Sequence, residues 1–171
     1  MKLISGENLF LREYAEEDAG FIMELLNSPG WIEFIGNRNI NSIDDALNYL
    51  KNGPIKSYAD CGYGFWCVCL NDSDRAIGMC GFIRRDYLSA PDLGFAFLPE
   101  FFAKGFAYES ASLAINLASH KFYFKVLVAI TDHHNVRSIK LLNRLGFVDD
   151  GTIIPPGTDE NLLQMKLTIL E

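Results

Sequence analysis

The sequence has 171 residues, of which 49% are hydrophobic and 13% aromatic, so it suits one compact domain over 1–171 and not a disordered chain. Its net charge is −7, from 22 acidic and 15 basic residues, which disfavours nucleic acid and anionic lipid and favours a cationic partner. No apolar run approaches the roughly 20 residues that span a bilayer, and the N-terminus lacks signal-peptide features. We therefore expect a cytoplasmic protein that binds neither a membrane nor nucleic acid.

In the first part of the chain, apolar runs and turn residues predict one strand followed by two helices. The strand covers 9–14, and an acidic helix start at 16–18 leads into an amphipathic run that ends near residue 26. Residues 28–30 (SPG) break this helix and begin a loop. Ser42 can cap a second helix, which ends near residue 52, with helical turns resuming before Cys61.

The rest of the chain is predicted to form six strands and two helices. The strands cover 65–70, 76–84, 93–98, 125–131, 147–154 and 161–170, and the helices cover 107–123 and 136–145. The run 65–70 (FWCVCL) is apolar on both faces, as in a central strand. The resulting order, βααβββαβαββ, mixes hairpins with helical crossovers and predicts an α/β (α+β) sheet of about seven strands with helices on both faces.

The four cysteines show neither a CxxC pair nor a Cys/His spacing that would hold a metal. Cys67 and Cys69 are two apart in an apolar run, so we expect them on one face of a strand. Cys61 and Cys80 stand alone. Reduced thiols that pack as small hydrophobic groups are the expectation, and no metal site is predicted.

A turn of small residues at 102–107 (FAKGFA) connects the strand at 93–98 to the following helix. Gly105 permits backbone angles that other residues avoid, and the free N–H groups at the start of a helix attract anions. Alanines at 107, 111, 114 and 118 follow at helical spacing and would bring the helix close to the sheet. The pattern favours an anion cradle, although an ordinary strand-to-helix turn has the same features.

The helix at 136–145 carries a hydroxyl inside its apolar stripe. On a helical wheel Ser138 lies among leucines 141, 142 and 145, where a hydroxyl needs a hydrogen-bond partner. The cations of an adjacent face are Arg137, Lys140 and Arg144. They provide the positive charge that a phosphate-rich ligand requires. The alternative is a surface helix with solvated charges and a serine bonded to the preceding turn.

Two motifs of this sequence resemble those of the GNAT superfamily of N-acetyltransferases. Residues 102–107 resemble the pyrophosphate loop, (Q/R)-x-x-G-x-(G/A), and residues 135–147 resemble the second signature, N-x-x-S-x-x-(L/Y)…G-F. The strand order is also similar, so the resemblance covers nearly the whole chain. The opening LFLR at 9–12 and the helix start at 102–111 most resemble the branch that contains the ribosomal-protein N-terminal (alanine) acetyltransferases.

The resemblance implies a mixed, mostly antiparallel sheet and acetyl-CoA as the acyl donor, without a metal. Backbone groups at Phe97 and Leu98 would pair with the pantetheine arm, and Asn135 would contact the same region. Ser138 would face the coenzyme sulfur, and Lys140 would reach the adenosine phosphates. The N–H groups that would hold the pyrophosphate belong to Phe102, Ala103, Lys104, Gly105, Phe106 and Ala107.

Two residues depart from the family pattern. Phe102 stands where relatives carry Gln or Arg, and Leu142 stands where many relatives carry a tyrosine that acts as the general acid. The implied reaction is direct attack of a neutral primary amine on the thioester, with a backbone N–H near Phe97 polarising the thioester carbonyl. The alternative function is a GNAT-like domain that binds coenzyme A as a regulator, because Leu142 cannot protonate a thiolate.

The acceptor implied by the charge is a cationic amine, either a protein N-terminus or a small molecule, and the protein is expected to be a monomer or a homodimer. Several groups are candidates for the base that deprotonates this amine. They are Glu33 in the loop after the first helix, Asp159 or Glu160 before the last strand, and His133 or His134 after the strand at 125–131. Deprotonation by water without a single base is the remaining possibility.

Overall fold

The computed structural model describes residues 2–169, and within them the chain forms eight strands and six α-helices. The strands are β1 (Lys2–Ser5), β2 (Leu9–Arg12), β3 (Phe65–Leu70), β4 (Ala76–Ile83), β5 (Asp92–Phe97), β6 (Val126–Thr131), β7 (Val148–Ile153) and β8 (Leu162–Thr168). The helices are α1 (Ala19–Leu26), α2 (Pro29–Phe34), α3 (Ile43–Asn52), α4 (Pro54–Cys61), α5 (Phe106–His120) and α6 (Val136–Arg144). Short 3₁₀ turns precede α1 and follow β5.

All eight strands lie in one sheet, in the order β1-β2-β3-β4-β5-β6-β8-β7. Every neighbouring pair is antiparallel except β5 and β6, which run parallel. This parallel pair is connected through α5, because parallel neighbours need a long crossover connection, which is usually a helix. The prediction of a mixed, mostly antiparallel α/β sheet is confirmed.

Helices cover both faces of the sheet. The face on which each helix lies follows from its strand contacts, because successive side chains of a strand point to opposite sides. Cys80 of β4 contacts Ser110 of α5, which places α5 on one face. On the other face, Arg12 of β2 pairs with Asp18 at the start of α1 through two bonds of 2.7 and 2.8 Å. Cys67, whose side chain lies beside Arg12, therefore faces away from α5.

The stripe of small residues predicted for α5 lies against the sheet. Ala111, Ala114 and Ala118 are fully buried, whereas Ala107 at the first turn is only half-buried. The helix ends at His120 and not at the predicted residue 123. Tyr123 adopts φ 55°, which allows the Phe124 N–H to bond back to the Ala118 carbonyl at 2.8 Å and turns the chain toward β6.

Two elements were missed by the sequence prediction, which gave seven strands and a loop after α1. Lys2–Ser5 is an eighth strand at the sheet edge, and only its pairing with β2 defines it. Pro29–Phe34 is a short helix, because a proline at the first helical position needs no N–H partner and does not interrupt the helix. The last predicted strand extended to Leu170, which lies outside the described residues. The predicted resumption of helix before Cys61 is confirmed as α4.

Candidate active site

The sheet opens between β5 and β6, the fifth and sixth strands in spatial order. These two strands share one residue pair in register, Asp92 with Val128, whereas β5 pairs with β4 over six residues. The Val128 N–H bonds to the Pro91 carbonyl at 3.0 Å, and beyond this point the strands diverge. We call the space between Leu93–Phe97 and Ala129–Thr131 the strand fork. Because β5 and β6 are parallel, α5 and α6 both begin at its open end.

The edge of β5 that faces the strand fork carries unpaired backbone groups. The Leu98 N–H bonds to Ile77 of β4 at 3.0 Å, so alternation along the strand points the N–H and C=O groups of Phe95 and Phe97 toward the fork. Leu98 also accepts a bond from the Phe101 N–H at 3.0 Å. Both backbone groups of Leu98 are therefore used inside the protein, and the geometry favours Phe97 over Leu98 for pairing with a ligand.

Asp92 lies at the closed end of the strand fork and was not singled out by the sequence analysis. Its side chain is buried, with 4% of the residue exposed, and accepts a 2.7 Å bond from Arg85 Nε. Burial raises the pKa of Asp92 to about 6, although the Arg85 charge, the Arg85 hydrogen bond and the nearby Ile130 N–H oppose the shift. The sequence offered one signal for this residue, a single carboxylate at the start of an apolar strand. Buried carboxylates are rare without a partner, so such a residue indicates a paired charge.

The turn between β5 and α5 has the backbone conformation of an anion-binding loop. Ala103 and Gly105 both have positive φ, 59° and 83°, and Gly105 caps α5 without a side-chain hydrogen bond. The Glu109 N–H is the first that bonds within the helix, to the Gly105 carbonyl at 3.0 Å, so the preceding N–H groups are free for an anion. The Phe102 N–H is an exception among the predicted donors, because it bonds to the Pro99 carbonyl at 3.1 Å.

The start of α5 is fixed in place by Glu109 in its first turn. One carboxylate oxygen of Glu109 accepts from the Asn8 backbone N–H at 2.8 Å, and the other accepts from Asn8 Nδ2 at 2.9 Å. A Cβ added at Gly6 would lie 2.3 Å from Glu109 Oε1, so the turn between β1 and β2 approaches the helix closely. The anion-binding loop is therefore attached to the far edge of the sheet as well as to β5.

Cations surround the loop and are held on aromatic rings. The Arg137 guanidinium lies 4.6 Å from the centroid of Phe102, and Arg144 lies 4.5 Å from that of Tyr108. Lys104 lies 5.3 Å from the Phe101 centroid. Within residues 2–169 none of these three cations forms an ion pair with a carboxylate. Lys140, also predicted to bind phosphate, is exposed on α6.

Asn135 and Ser138 are brought together at the start of α6. The Asn135 side chain caps the helix by accepting from the Ser138 N–H at 3.2 Å. The Ser138 hydroxyl makes no hydrogen bond to any residue of the described chain, whereas Ser110 and Ser112 of α5 bond back to carbonyls of their own helix. The alternative of a back-bonded Ser138 is therefore not observed. Leu142, one turn later, is buried in the core.

The candidate bases lie on separate parts of the surface. Glu33 is exposed on α2, a helix and not the predicted loop, and this helix contacts the anion-binding loop because a Cβ at Gly30 would lie 3.3 Å from the Phe102 ring. Trp31 of the same helix has a buried indole N–H without a partner in residues 2–169. Asp159 and Glu160 are exposed in the loop between β7 and β8. The histidine candidates form a local contact only, since His134 Nδ1 lies 3.0 Å from Asp132.

The cysteines form no part of this site. Cys67 and Cys69 share one face of β3, as predicted, with their sulfurs 3.6 Å apart, and both are buried. Across the described residues no group of three or more His, Cys, Asp or Glu side chains is arranged to hold a metal ion. No helix in residues 2–169 is long and apolar enough to cross a membrane.

Comparison with known proteins gives one consistent family. The sequence profile described as "Acetyltransferase (GNAT) domain" matches residues 8–148. The chain is 23% identical over 153 residues to the uncharacterized N-acetyltransferase YoaA of Bacillus subtilis (strain 168), covering 88% of this chain and 85% of that protein.

Solved structures of acetyltransferases have the same fold. The ribosomal-protein-S5-alanine acetyltransferase from Vibrio fischeri has a TM-score of 0.80 at 17% identity, covering 96% of this chain and 95% of that chain. The microcin C7 self-immunity acetyltransferase MccE, solved in complex with acetyl-CoA and AMP, has a TM-score of 0.78 at 15% identity, covering 96% and 94%. At these identities the similarity concerns the fold, and the matched profile covers most of the sequence. The chain therefore belongs to the GNAT family of acetyltransferases.

Proposed function

We propose that this acetyltransferase moves the acetyl group of acetyl-CoA to the primary amine of a cationic acceptor, by direct attack of the neutral amine. The observation that carries the proposal is the strand fork, which opens where the free N–H groups of α5 and the cations of α6 begin. An extended ligand arm can pair with the exposed β5 edge while its phosphates reach the loop. Acetyl-CoA has this shape and charge, and it supplies the thioester that an amine can attack.

The residues of the chain have distinct tasks in this proposal. Backbone groups of Phe95 and Phe97 pair with the amides of the pantetheine arm, in the manner of an added strand. The N–H groups of 103–107 bind the pyrophosphate, which lies at a helix N-terminus. Asn135 fixes the first turn of α6, and the free hydroxyl of Ser138 donates to the coenzyme sulfur as the thiolate leaves.

Positioning is expected to contribute more than proton transfer. Holding two reactants in line can supply about 7–11 kcal/mol, whereas a positioned acid or base supplies roughly 10²–10⁴-fold in rate. Leu142 removes the tyrosine acid of many relatives, but it leaves the positioning elements intact. An active enzyme without that acid is therefore consistent with these magnitudes.

The acceptor is inferred from charge. A net charge of −7 attracts a cationic amine, which must lose a proton before it can attack. Glu33 is the candidate base that we favour, because its helix contacts Phe102 of the anion-binding loop through Gly30. We expect the rate to rise with pH through an apparent pKa, and to fall with added salt at subsaturating acceptor.

The test is a thiol-release assay with acetyl-CoA and a panel of acceptors: peptides with free N-termini, the same peptides N-acetylated, polyamines, and neutral amines. Turnover with cationic free amines and none with blocked peptides supports the proposal. Stabilisation by acetyl-CoA without turnover on any amine would instead support a coenzyme-binding regulator, the function that Leu142 favours. NAD and ATP serve as controls, since neither should raise the melting temperature.

A further inference from the structure

Phe65 of β3 places its ring against β5 at the edge of the strand fork. Phe65, Gly81 and Gly94 are in register across β3, β4 and β5. A Cβ added at Gly94 would lie 2.8 Å from Cζ and 2.9 Å from Cε1 of the Phe65 ring. A Cβ added at Gly81, the residue between them, would lie 2.8 Å from the Phe65 Cα. The two glycines therefore leave room for the ring, which occupies the space that a side chain at position 94 would fill.

The ring of Phe65 lies on the face of the sheet opposite α5. Phe82 of β4 makes an edge contact with Phe124, in the segment that follows α5, with the ring centroids 5.8 Å apart. Its neighbour Gly81 therefore faces the other way, because successive residues of a strand alternate. Phe65 and Gly94 share the orientation of Gly81, since residues paired directly across neighbouring strands point to the same face.

The two helices that begin at the fork both lie on the α5 side of the sheet. A Cβ at Gly146, directly after α6, would lie 3.4 Å from the side chain of Leu167 in β8. Leu167 pairs with Leu127 of β6, and the next residue, Val128, shares the face of Gly94 through its pairing with β5. Leu127 and Leu167 therefore point to the α5 side, and α6 packs there. Because the phosphates are proposed to bind at the first turns of α5 and α6, the opposite face of the fork is left for the acceptor.

The coenzyme arm would bring its thioester to Gly94. Its phosphates are proposed to bind at the open end of the fork, and its amides to pair with Phe97 and Phe95. The thioester is at the other end of the arm, so it points from Phe95 toward the closed end, where Gly94 is the next residue of β5. Gly94 and the ring of Phe65 are only half-buried, so an acceptor can reach both from the face opposite α5.

We propose that Phe65 is a specificity-determining residue of the acceptor site, whose ring limits the space at the carbon that carries the attacking amine. The inference rests on the proposed transfer from acetyl-CoA to a primary amine. An amine that attacks a thioester beside Gly94 has its first carbon against the ring. A CH₂ group fits there, whereas a branch at this carbon meets the ring.

The acceptor class that follows is a primary amine on an unbranched carbon, such as the end of a polyamine or an N-terminal glycine. The ring takes no part in the bond changes. The amine nitrogen bonds to the acetyl carbon, the C–S bond breaks, and one amine proton ends on the thiol of coenzyme A. Phe65 therefore affects which amine reacts and not how the acetyl group is transferred.

The test measures how a branch at the reacting carbon changes kcat/KM for the amine. Two probe pairs are used: n-butylamine with sec-butylamine, and a peptide that begins with glycine with the same peptide beginning with alanine. Each amine is assayed by thiol release with saturating acetyl-CoA. We expect the wild type to prefer the unbranched member of a pair by about tenfold or more, because one carbon group in a closed pocket has an effect of this order.

Phe65→Ala should reduce this preference to about twofold or less and leave the KM for acetyl-CoA within about twofold, because it opens space for the branch and does not touch the arm. Phe65→Leu should give an intermediate preference. Phe122→Ala is the matched control, since Phe122 is also half-buried but stacks on Trp66, on the α5 side, with the centroids 6.1 Å apart. It removes a similar ring and should leave the preference unchanged.

Three results would overturn the inference while leaving the coenzyme site intact: no preference for the unbranched amine in the wild type, an unchanged preference in Phe65→Ala, or an equal change in Phe122→Ala. A ring that only stabilises the fold would lower kcat/KM for both amines by the same factor. If Phe65→Ala does not fold, Phe65→Leu takes its place, and a wild-type preference in that variant counts against the role of the ring. Failure of the wild type to acetylate any primary amine is a separate result, which would refute the proposed function itself.

Discussion

The guanidinium of Arg137 lies over the ring of Phe102, 4.6 Å from its centroid, and joins the first turn of α6 to the anion-binding loop before α5. Phe102 is the residue that departs from the Gln or Arg of the family motif. The loop thus lacks the arginine that some relatives carry at position 102, and Arg137 of α6 provides a guanidinium beside the loop instead. The ring of Phe102 holds this guanidinium in place. Cation–π contacts of this kind contribute about 0.5–1 kcal/mol when exposed.

Arg137→Gln should therefore weaken acetyl-CoA binding by roughly five- to thirtyfold, because it removes a charge beside the loop that we propose for the pyrophosphate. Phe102→Leu should weaken it less, since Arg137 remains but is no longer held in place. Calorimetric titration with acetyl-CoA measures both. Lys121→Gln is the control, as Lys121 lies 5.5 Å from the Phe122 centroid at the other end of α5. If Lys121→Gln had the same effect, the loss would reflect general charge and not this contact.

Gly105→Ala should weaken acetyl-CoA binding by more than its effect on stability explains. Gly105 has φ 83° and open space where a Cβ would be placed, so alanine adds backbone strain of about 1 kcal/mol and covers the N–H groups of the loop. Gly62 ends α4 with nearly the same conformation, φ 77° and ψ −2°, and also has open space at its Cβ position. Gly62→Ala should lower the melting temperature equally and leave the coenzyme affinity unchanged. Equal affinity losses in the two variants would show that Gly105 only forms a turn.

Ser138→Ala should reduce kcat by about ten- to a thousandfold, which corresponds to about 1.4–4 kcal/mol of transition-state stabilisation, with little change in coenzyme affinity. The reason is that its hydroxyl has no partner within residues 2–169 and is free to donate to the sulfur. Ser112→Ala is the matched control, because Ser112 Oγ already donates to the Tyr108 carbonyl at 2.8 Å. A Ser138→Ala enzyme with wild-type kcat would refute the catalytic role and leave the coenzyme site unaffected.

The raised pKa of Asp92 predicts a pH dependence of stability. Burial raises this pKa to about 6 in the folded protein, from the ordinary value near 4 in the unfolded chain. Between these values the folded state binds more protons than the unfolded state, so the free energy of unfolding decreases as pH rises. The contribution is present in full below about pH 4 and is lost through about pH 6, and its size is on the order of 3 kcal/mol.

Asp92→Asn isolates this contribution, because asparagine has a similar shape and does not titrate. Urea unfolding of both proteins from pH 4 to 7 should show the wild type losing stability relative to Asp92→Asn as pH increases. Arg85 is the charge that opposes this trend, and Tyr87 interacts with Arg85 in turn. A wild type that gains relative stability with rising pH would mean that the Arg85 charge outweighs burial.

Local patterns were sufficient to predict most elements of the fold. The helix start at Ser42, the small-residue face of α5 and the start of α6 at Val136 depend on residues within one or two turns of each other. The elements that were missed have weak local signals. The four residues of β1 are a strand only because β2 lies beside them, and the proline that begins α2 is equally common in loops.

The residues of the candidate site also fall into two groups: those that local sequence patterns predict and those that depend on distant contacts. Gly105, Asn135 and Ser138 could be selected from the sequence, because their motifs combine residue type with fixed spacing along one loop or one helix. The sequence by itself therefore determined the order of the elements other than β1 and α2, and it selected the two segments that we propose to bind the coenzyme. Only the tertiary structure decided that β5 and β6 share a single registered pair and that Arg137 lies on Phe102. These contacts join residues about 35 positions apart, and no local periodicity fixes the register in which distant strands and helices meet.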